Sequence, residues 1–150
     1  ELSPRKQTIM FEIGSIYASM GQADRALVYM ENAYNLAPQS QEAKQIYATI
    51  AIYAKKFNIP EELKISIADE RIMRAYYESG NIQKAIEAGK AILALDPEDV
   101  DIRMKLANVY LAAGDKKSAI AEIETIIKLK PEYKAQAEGF IKQIREGTVK

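Results

Sequence analysis

The chain has 150 residues, 48% of them apolar and 28% charged, which is enough for one domain with a real core and excludes a disordered composition. Its 21 Lys and Arg balance 21 Asp and Glu, so the basic excess of a nucleic-acid binder is missing. Cysteine and histidine are both absent, which removes disulfides, thiol nucleophiles and thiolate metal sites, and with them the commonest general base and metal ligand.

Taken in chain order, the first element pair spans residues 7–40. A helix ends at Gly21, and a second carries Ala26, Met30 and Ala33 before Pro38. Next comes "SQEAKQIYATIAIYAKK", with Ile46, Tyr47, Ile50, Ala51 and Ala54 at helical spacing. It is apolar nearly all round, as in a helix buried between neighbours, and far too short to span a bilayer. "FNIP" breaks it, and "EELKIS" is too short for a normal second helix, so residues 41–65 read as a degenerate pair with a stunted second member. A rival reading runs one long helix from Pro60 to Ser79. Ser66 with Asp69 three residues on resembles a capping box, which opens the next helix there. The pair over 66–99 turns at Gly80 and stops at Pro97.

The pair over 100–133 shows the unit most clearly. Ile102, Leu106, Val109, Tyr110 and Ala113 form one stripe, Gly114 accepts a left-handed turn, and Asp115 caps the second helix of the pair. Ala119, Ile120, Ile123, Ile126 and Ile127 form a second stripe, and Pro131 stops it. Ala119 is small where two helices must approach. A last helix over about 132–146 turns Phe140, Ile141 and Ile144 inward and Lys134, Glu138, Lys142 and Arg145 outward, which suits a terminal cap.

Three stretches, Tyr17–Pro38, Tyr76–Pro97 and Tyr110–Pro131, thus repeat one sentence: Tyr, Gly four residues later, Ala nine residues later, then Pro. The last two prolines are 34 residues apart. That period and content resemble the tetratricopeptide repeat. Met10, Ile13, Gly14, Tyr17, Gly21, Ala26, Met30, Ala33 and Pro38 match its pattern in the first copy. Ile72, Tyr76, Gly80, Ala85, Ile92 and Pro97 match in the second, and Leu106, Ala107, Tyr110, Gly114, Ala119, Ile123, Ile126 and Pro131 in the last. Four positions depart: Asp69, Gly89 and Arg103 stand where the family prefers large residues, and Met73 where it prefers a small one. The resemblance implies an all-α fold, a tetratricopeptide-type α-solenoid of stacked antiparallel helix pairs with a C-terminal capping helix, as a single domain over 1–150.

No catalytic constellation is visible. Asp99 with Asp101, and Glu122 with Glu124, read as helix-end or solvated charges, and no Gly-rich phosphate loop follows a strand. No enzyme and no cofactor are expected. The resemblance implies a concave groove lined by first helices, which receives peptides. The first-helix positions left over from the packing stripes include Ser15, Gln45, Thr49, Glu70 and Lys105. The groove candidates among them are Phe11, Ile52, Tyr53, Arg74, Tyr77, Met104, Asn108 and Leu111. The apolar ones could anchor side chains, and Arg74 and Asn108 could grip a backbone or carboxylate. The same residues could instead pack on adjacent repeats or sit singly on the surface. A chaperone-type carboxylate clamp is disfavoured, because Phe11, Ser15 and Asp101 occupy clamp positions and only Lys105 and Asn108 suit one.

The expected function is a non-catalytic protein- or peptide-binding scaffold, with no nucleic acid as partner and no membrane insertion by this segment. "LSPRKQTIMFEIGSIYASMGQ", the truncated second pair, "ADERIMRAYYESGN" and "KPEYKAQAEGFIKQIREG" also resemble the soluble C-terminal tail of bacterial O-antigen ligase or polymerase membrane proteins. The alternative expectation is therefore a regulatory or assembly tail fused to a membrane domain. Glu1 is not a translation start, so a piece of a longer protein or a processed product is expected. A cytoplasmic location is favoured, or an envelope-associated one under the alternative.

Overall fold

The computed structural model describes residues 4–36, 40–54 and 65–149. Among these there are eight α-helices and no strand: α1 (Pro4–Ser19), α2 (Ala23–Leu36), α3 (Gln41–Tyr53), α4 (Glu70–Glu78), α5 (Ile82–Leu95), α6 (Val100–Ala112), α7 (Lys116–Leu129) and α8 (Lys134–Glu146). The all-α class expected from the repeats is the one found. The described residues form two compact units, one of those within 1–66 together with 74–79 and the other of those within 67–73 and 80–149.

In the first unit α1 packs on α2 and α2 on α3. Its core holds Ala26, Leu27, Met30, Ile50 and Ala51, with Phe11, Tyr17, Ile46 and Tyr47 packed against it. Tyr17 stacks on Tyr29 at 5.4 Å, and the Arg25 guanidinium lies over the Tyr17 ring, 5.8 Å from its centroid, so the repeat tyrosine joins the two helices of the hairpin. Ser40 caps α3 by accepting from the Ala43 N–H.

In the second unit α5 packs on α6, α6 on α7 and α7 on α8. Asn81, Asp99 and Asp115 cap α5, α6 and α7, each accepting from the N–H three residues on. The turn glycines Gly21, Gly80 and Gly114 all have positive φ, near 72°, 82° and 78°, which a side chain would strain. Ala26, Ala85 and Ala119 are fully buried, as crossing-point residues must be where two backbones approach. Pro131 ends α7 and opens a single 3-10 turn, Pro131–Tyr133, ahead of α8. Ile141 and Ile144 of α8 are buried with Ala137, and its polar face is exposed.

Several expectations change. The third pair opens at Glu70, not at Ser66. Asp69 is the capping residue, its Oδ1 accepting from Arg71 N at 2.8 Å and Ile72 N at 3.4 Å. Residues 65–69 are not helical, which rules out a continuous helix reaching Ser79 from Pro60. The stop at Pro38 and residues 61–64 of the stunted helix placed in "EELKIS" lie outside the described residues, while Ile65 and Ser66 are not helical. Ala113 is exposed, because α6 ends one residue before it.

Two departures from the repeat pattern prove to be paired. Met73 and Gly89 are both buried, and a Cβ on Gly89 would lie 3.1 Å from Met73 Cε and 3.0 Å from Leu106 Cδ1. The large residue at the small position fills the space vacated by the small residue at the large one. Arg103 is explained by its partners. Its Nη1 donates to Glu122 Oε2 at 2.6 Å, and its Nε and Nη2 donate to the Pro97 carbonyl, tying α6 to α7 and to the preceding loop. Both side chains are mostly buried, so Glu122 is a structural partner rather than a solvated charge.

Candidate binding surface

In the first unit α3 and the C-terminal half of α4 bring three of the expected residues together. Tyr53, at the end of α3, donates its hydroxyl proton to Glu78 Oε2 at 2.7 Å. Arg74, one turn before Glu78 on α4, donates from Nε to Oε1 of the same carboxylate, also at 2.7 Å. The Ser79 hydroxyl adds a bond to the Ile52 carbonyl at 3.3 Å. Tyr77 lies three residues after Arg74, within reach on a helix surface, and is 41% exposed. The result is a polar bridge that fixes a cation and a phenol beside an exposed aromatic ring.

The charges in this bridge reinforce one another. The hydrogen bond from Arg74, then the one from Tyr53, holds the Glu78 carboxyl below its ordinary range. Burial, aided by the Glu78 hydrogen bond, pushes the Tyr53 phenol up to about 12. Glu78 was not among the expected residues. The spacing of four between Arg74 and Glu78 was its signal in the sequence.

The other residues of this unit belong elsewhere. Ile52 is fully buried, so it offers no anchor to a ligand: α3 is enclosed on several sides, as its apolar character nearly all round implies. Gln45 is buried too, and donates to the Ser66 carbonyl at 3.1 Å. Phe11 is half-buried against the α2–α3 core, which makes it a packing residue first. Thr49 turns its hydroxyl back to the Gln45 carbonyl, and Ser15 is exposed.

In the second unit Met104, Asn108 and Leu111 stand at i, i+4 and i+7 on α6 and so share one face. Asn108 is exposed, while Met104 and Leu111 are half-buried. Lys105, next to this face, is ion-paired with Glu70. Asp69 at the start of α4 holds Arg71 in a second local pair, at 3.0 Å. Burial alone would raise the Asp69 carboxyl, but the hydrogen bonds from Arg71 outweigh it and bring it below its ordinary value. No described helix is long and apolar enough to cross a membrane.

No curated protein matches the chain by sequence. Among solved structures, a crystal structure of MamA protein is similar, with 21% identity over 97% of this chain and 84% of that one, at a TM-score of 0.60. MamA 41-end from Desulfovibrio magneticus RS-1 is 19% identical over 86% of this chain and 78% of its own, at 0.57. The pilF protein of Pseudomonas aeruginosa is 17% identical over 85% of this chain and 62% of its own, at 0.55. At such identities the likeness is one of fold. The tetratricopeptide-repeat family matches directly in sequence, through one member model over residues 8–40 and another over 76–144. The described residues of these stretches form α1 and α2 in the first and α5 to α8 in the second, so residues 8–40 and 76–144 of this chain are matched as tetratricopeptide repeats.

Proposed function

We propose that the chain is a non-catalytic scaffold that binds a protein or peptide through the solvent-facing sides of its first helices. The observation that carries this reading is the α3–α4 patch, where Tyr53, Glu78 and Arg74 form one bonded set beside exposed Tyr77. Such a set holds few rotamers in solution, so a ligand ordering it loses little side-chain entropy. Tyrosine and arginine are also among the residue types enriched at binding hot spots. The Arg74 guanidinium is well exposed and suits a carboxylate or backbone carbonyl of the ligand. On α6, Met104, Asn108 and Leu111 supply a second face of apolar and amide chemistry. The family matches describe the repeat alone and lend no support to an O-antigen ligase or polymerase tail.

The test is affinity capture with the intact chain, identification of the bound protein, and calorimetric titration of that protein. Tyr77→Ala or Arg74→Ala is expected to weaken binding by at least about 1 kcal/mol without moving the melting temperature. Lys128→Ala, exposed on α7, is the control and is expected to change nothing. Equal affinities for all three variants would place the site away from α3 and α4.

A further inference from the structure

The cation of the α3–α4 patch is already engaged within the first unit. Arg74 gives its Nε–H to Glu78 Oε1, and the other oxygen of that carboxylate accepts the Tyr53 hydroxyl. Both charged side chains still reach water, Arg74 being 72% and Glu78 41% exposed. Glu78 is ionised at neutral pH, because the bonds it accepts hold its carboxyl below the ordinary range.

Tyr53 carries this patch on to a second feature of the same unit. It is one wall of a depression of about 440 Å³, whose other walls are Ala54 and the turn into α2 over residues 21–25. Here too the charges come as neighbours, Asp24 beside Arg25, both exposed, and the Arg25 guanidinium lies over the Tyr17 ring. Across bridge and depression, Arg25 and Arg74 balance Asp24 and Glu78. An ion brought to such a surface gains from one member of a pair about what it loses to the other, since the two Coulomb energies have opposite signs. It must still shed its water to bind. An uncharged hydrogen-bonding group escapes most of that cost. A guanidinium carries five N–H donors, of which the bond from Arg74 Nε to Glu78 uses one.

We propose, resting on the α3–α4 reading above, that this charge-balanced surface selects an uncharged stretch of a partner peptide, and that Glu78 is the residue that turns acidic peptides away. Of the two groups that suit Arg74, a carboxylate meets Glu78 at the same guanidinium, whereas a main-chain carbonyl meets it without a charge. The exposed Tyr77 ring supplies apolar area for a neighbouring side chain of the peptide. Glu78 thus has two duties: it positions Arg74 and Tyr53, and it cancels the charge that would otherwise draw in carboxylates.

Selection of a random-peptide phage library on the intact chain tests this through composition. The wild type is expected to retain peptides no richer in Asp, Glu, Lys or Arg than the unselected library. Glu78→Gln keeps an amide oxygen for Tyr53 but uncovers the Arg74 charge, and is expected to retain peptides enriched in Asp and Glu. Arg74→Gln uncovers Glu78 instead and is expected to enrich Lys and Arg. A synthetic peptide from the wild-type selection is expected to change its affinity less than about twofold between about 0.05 and 0.5 M salt, because screening acts on charged contacts. Acidic or basic peptides retained by the wild type, or compositions that both substitutions leave unchanged, overturn the proposal. Tyr77→Ala separates the selectivity from the site. Peptides that bind Tyr77→Ala as well as the wild type, or no retained peptide at all, overturn both readings. Acidic peptides that need Tyr77 leave the site standing and overturn its selectivity alone.

Discussion

Met73 and Gly89 make the sharpest stability prediction, because each is unusual for its repeat position and each accounts for the other. Met73→Ala removes the Sδ and Cε atoms that a Cβ at position 89 would meet at 3.3 and 3.1 Å. With glycine still at 89 nothing else fills that space, and a buried Met→Ala change of this kind costs about 2–5 kcal/mol. Gly89→Ala alone combines two opposed terms. Alanine inside α5 gains about 1 kcal/mol of helix propensity, but its methyl presses on Met73 and Leu106 at 3.0–3.1 Å, and overpacking costs about 1–3 kcal/mol. The single change is therefore neutral to destabilising. In the Met73→Ala background the methionine contacts are gone, and the Leu106 methyl that still faces the new Cβ at 3.0 Å can shift into the vacated space, so Gly89→Ala gains both the propensity and about 0.8 kcal/mol for a buried methyl group. It is expected to restore about 1–2 kcal/mol. The assay is urea unfolding of the four proteins, monitored by far-ultraviolet circular dichroism. A coupling of at least about 1 kcal/mol is expected, and additivity within about 0.5 kcal/mol would refute the compensation.

Ala119→Leu is expected to destabilise by about 1–3 kcal/mol in thermal melts, since Ala119 is fully buried where α7 crosses a neighbour. Glu122→Ala leaves the mostly buried Arg103 without its carboxylate and is expected to cost about 1–3 kcal/mol, whereas Glu124→Ala on the exposed face is expected to cost under about 0.5 kcal/mol. Tyr53 has a phenol raised to about 12 when folded, so the unfolded chain loses its proton first as pH climbs past 10. Its contribution is complete below pH 10 and is lost between pH 10 and about 12, so Tyr53→Phe is expected to flatten that part of a stability-against-pH curve. Glu78 has the opposite sign: its lowered carboxyl contributes above the ordinary glutamate range, and the contribution is lost as pH falls through the lowered value, a loss that Glu78→Gln is expected to remove.

The hairpins were legible in the sequence because each is specified locally. A glycine with positive φ, a capping Asp or Asn, a buried alanine and a stopping proline mark one hairpin without reference to the rest. Burial was less legible, because a stripe gives the phase of a helix and not the number of its neighbours. Gln45 is buried although polar, while Ile9 and Ile16, which precede Tyr17 as the buried Ile102 and Val109 precede Tyr110, are exposed. Pairing was least legible. Arg103 looked like a defect until Glu122, on the next helix, supplied its carboxylate, and Met73 and Gly89 looked like two defects rather than one exchange. Of the expected site, Tyr53, Arg74 and Tyr77 come together because α3 and the end of α4 are adjacent in the first unit, and the bond from Tyr53 to Glu78, 25 residues apart, needed the fold to show it.

The most direct test of a first-helix binding surface is amide hydrogen exchange, read by mass spectrometry, on the intact chain with and without its captured partner. The expected result is added protection in α3 and the C-terminal half of α4, with α2, α5 and α7 unchanged. Protection confined to α2, α5 or α7, with exchange in α3, α4 and α6 unaltered, would contradict it.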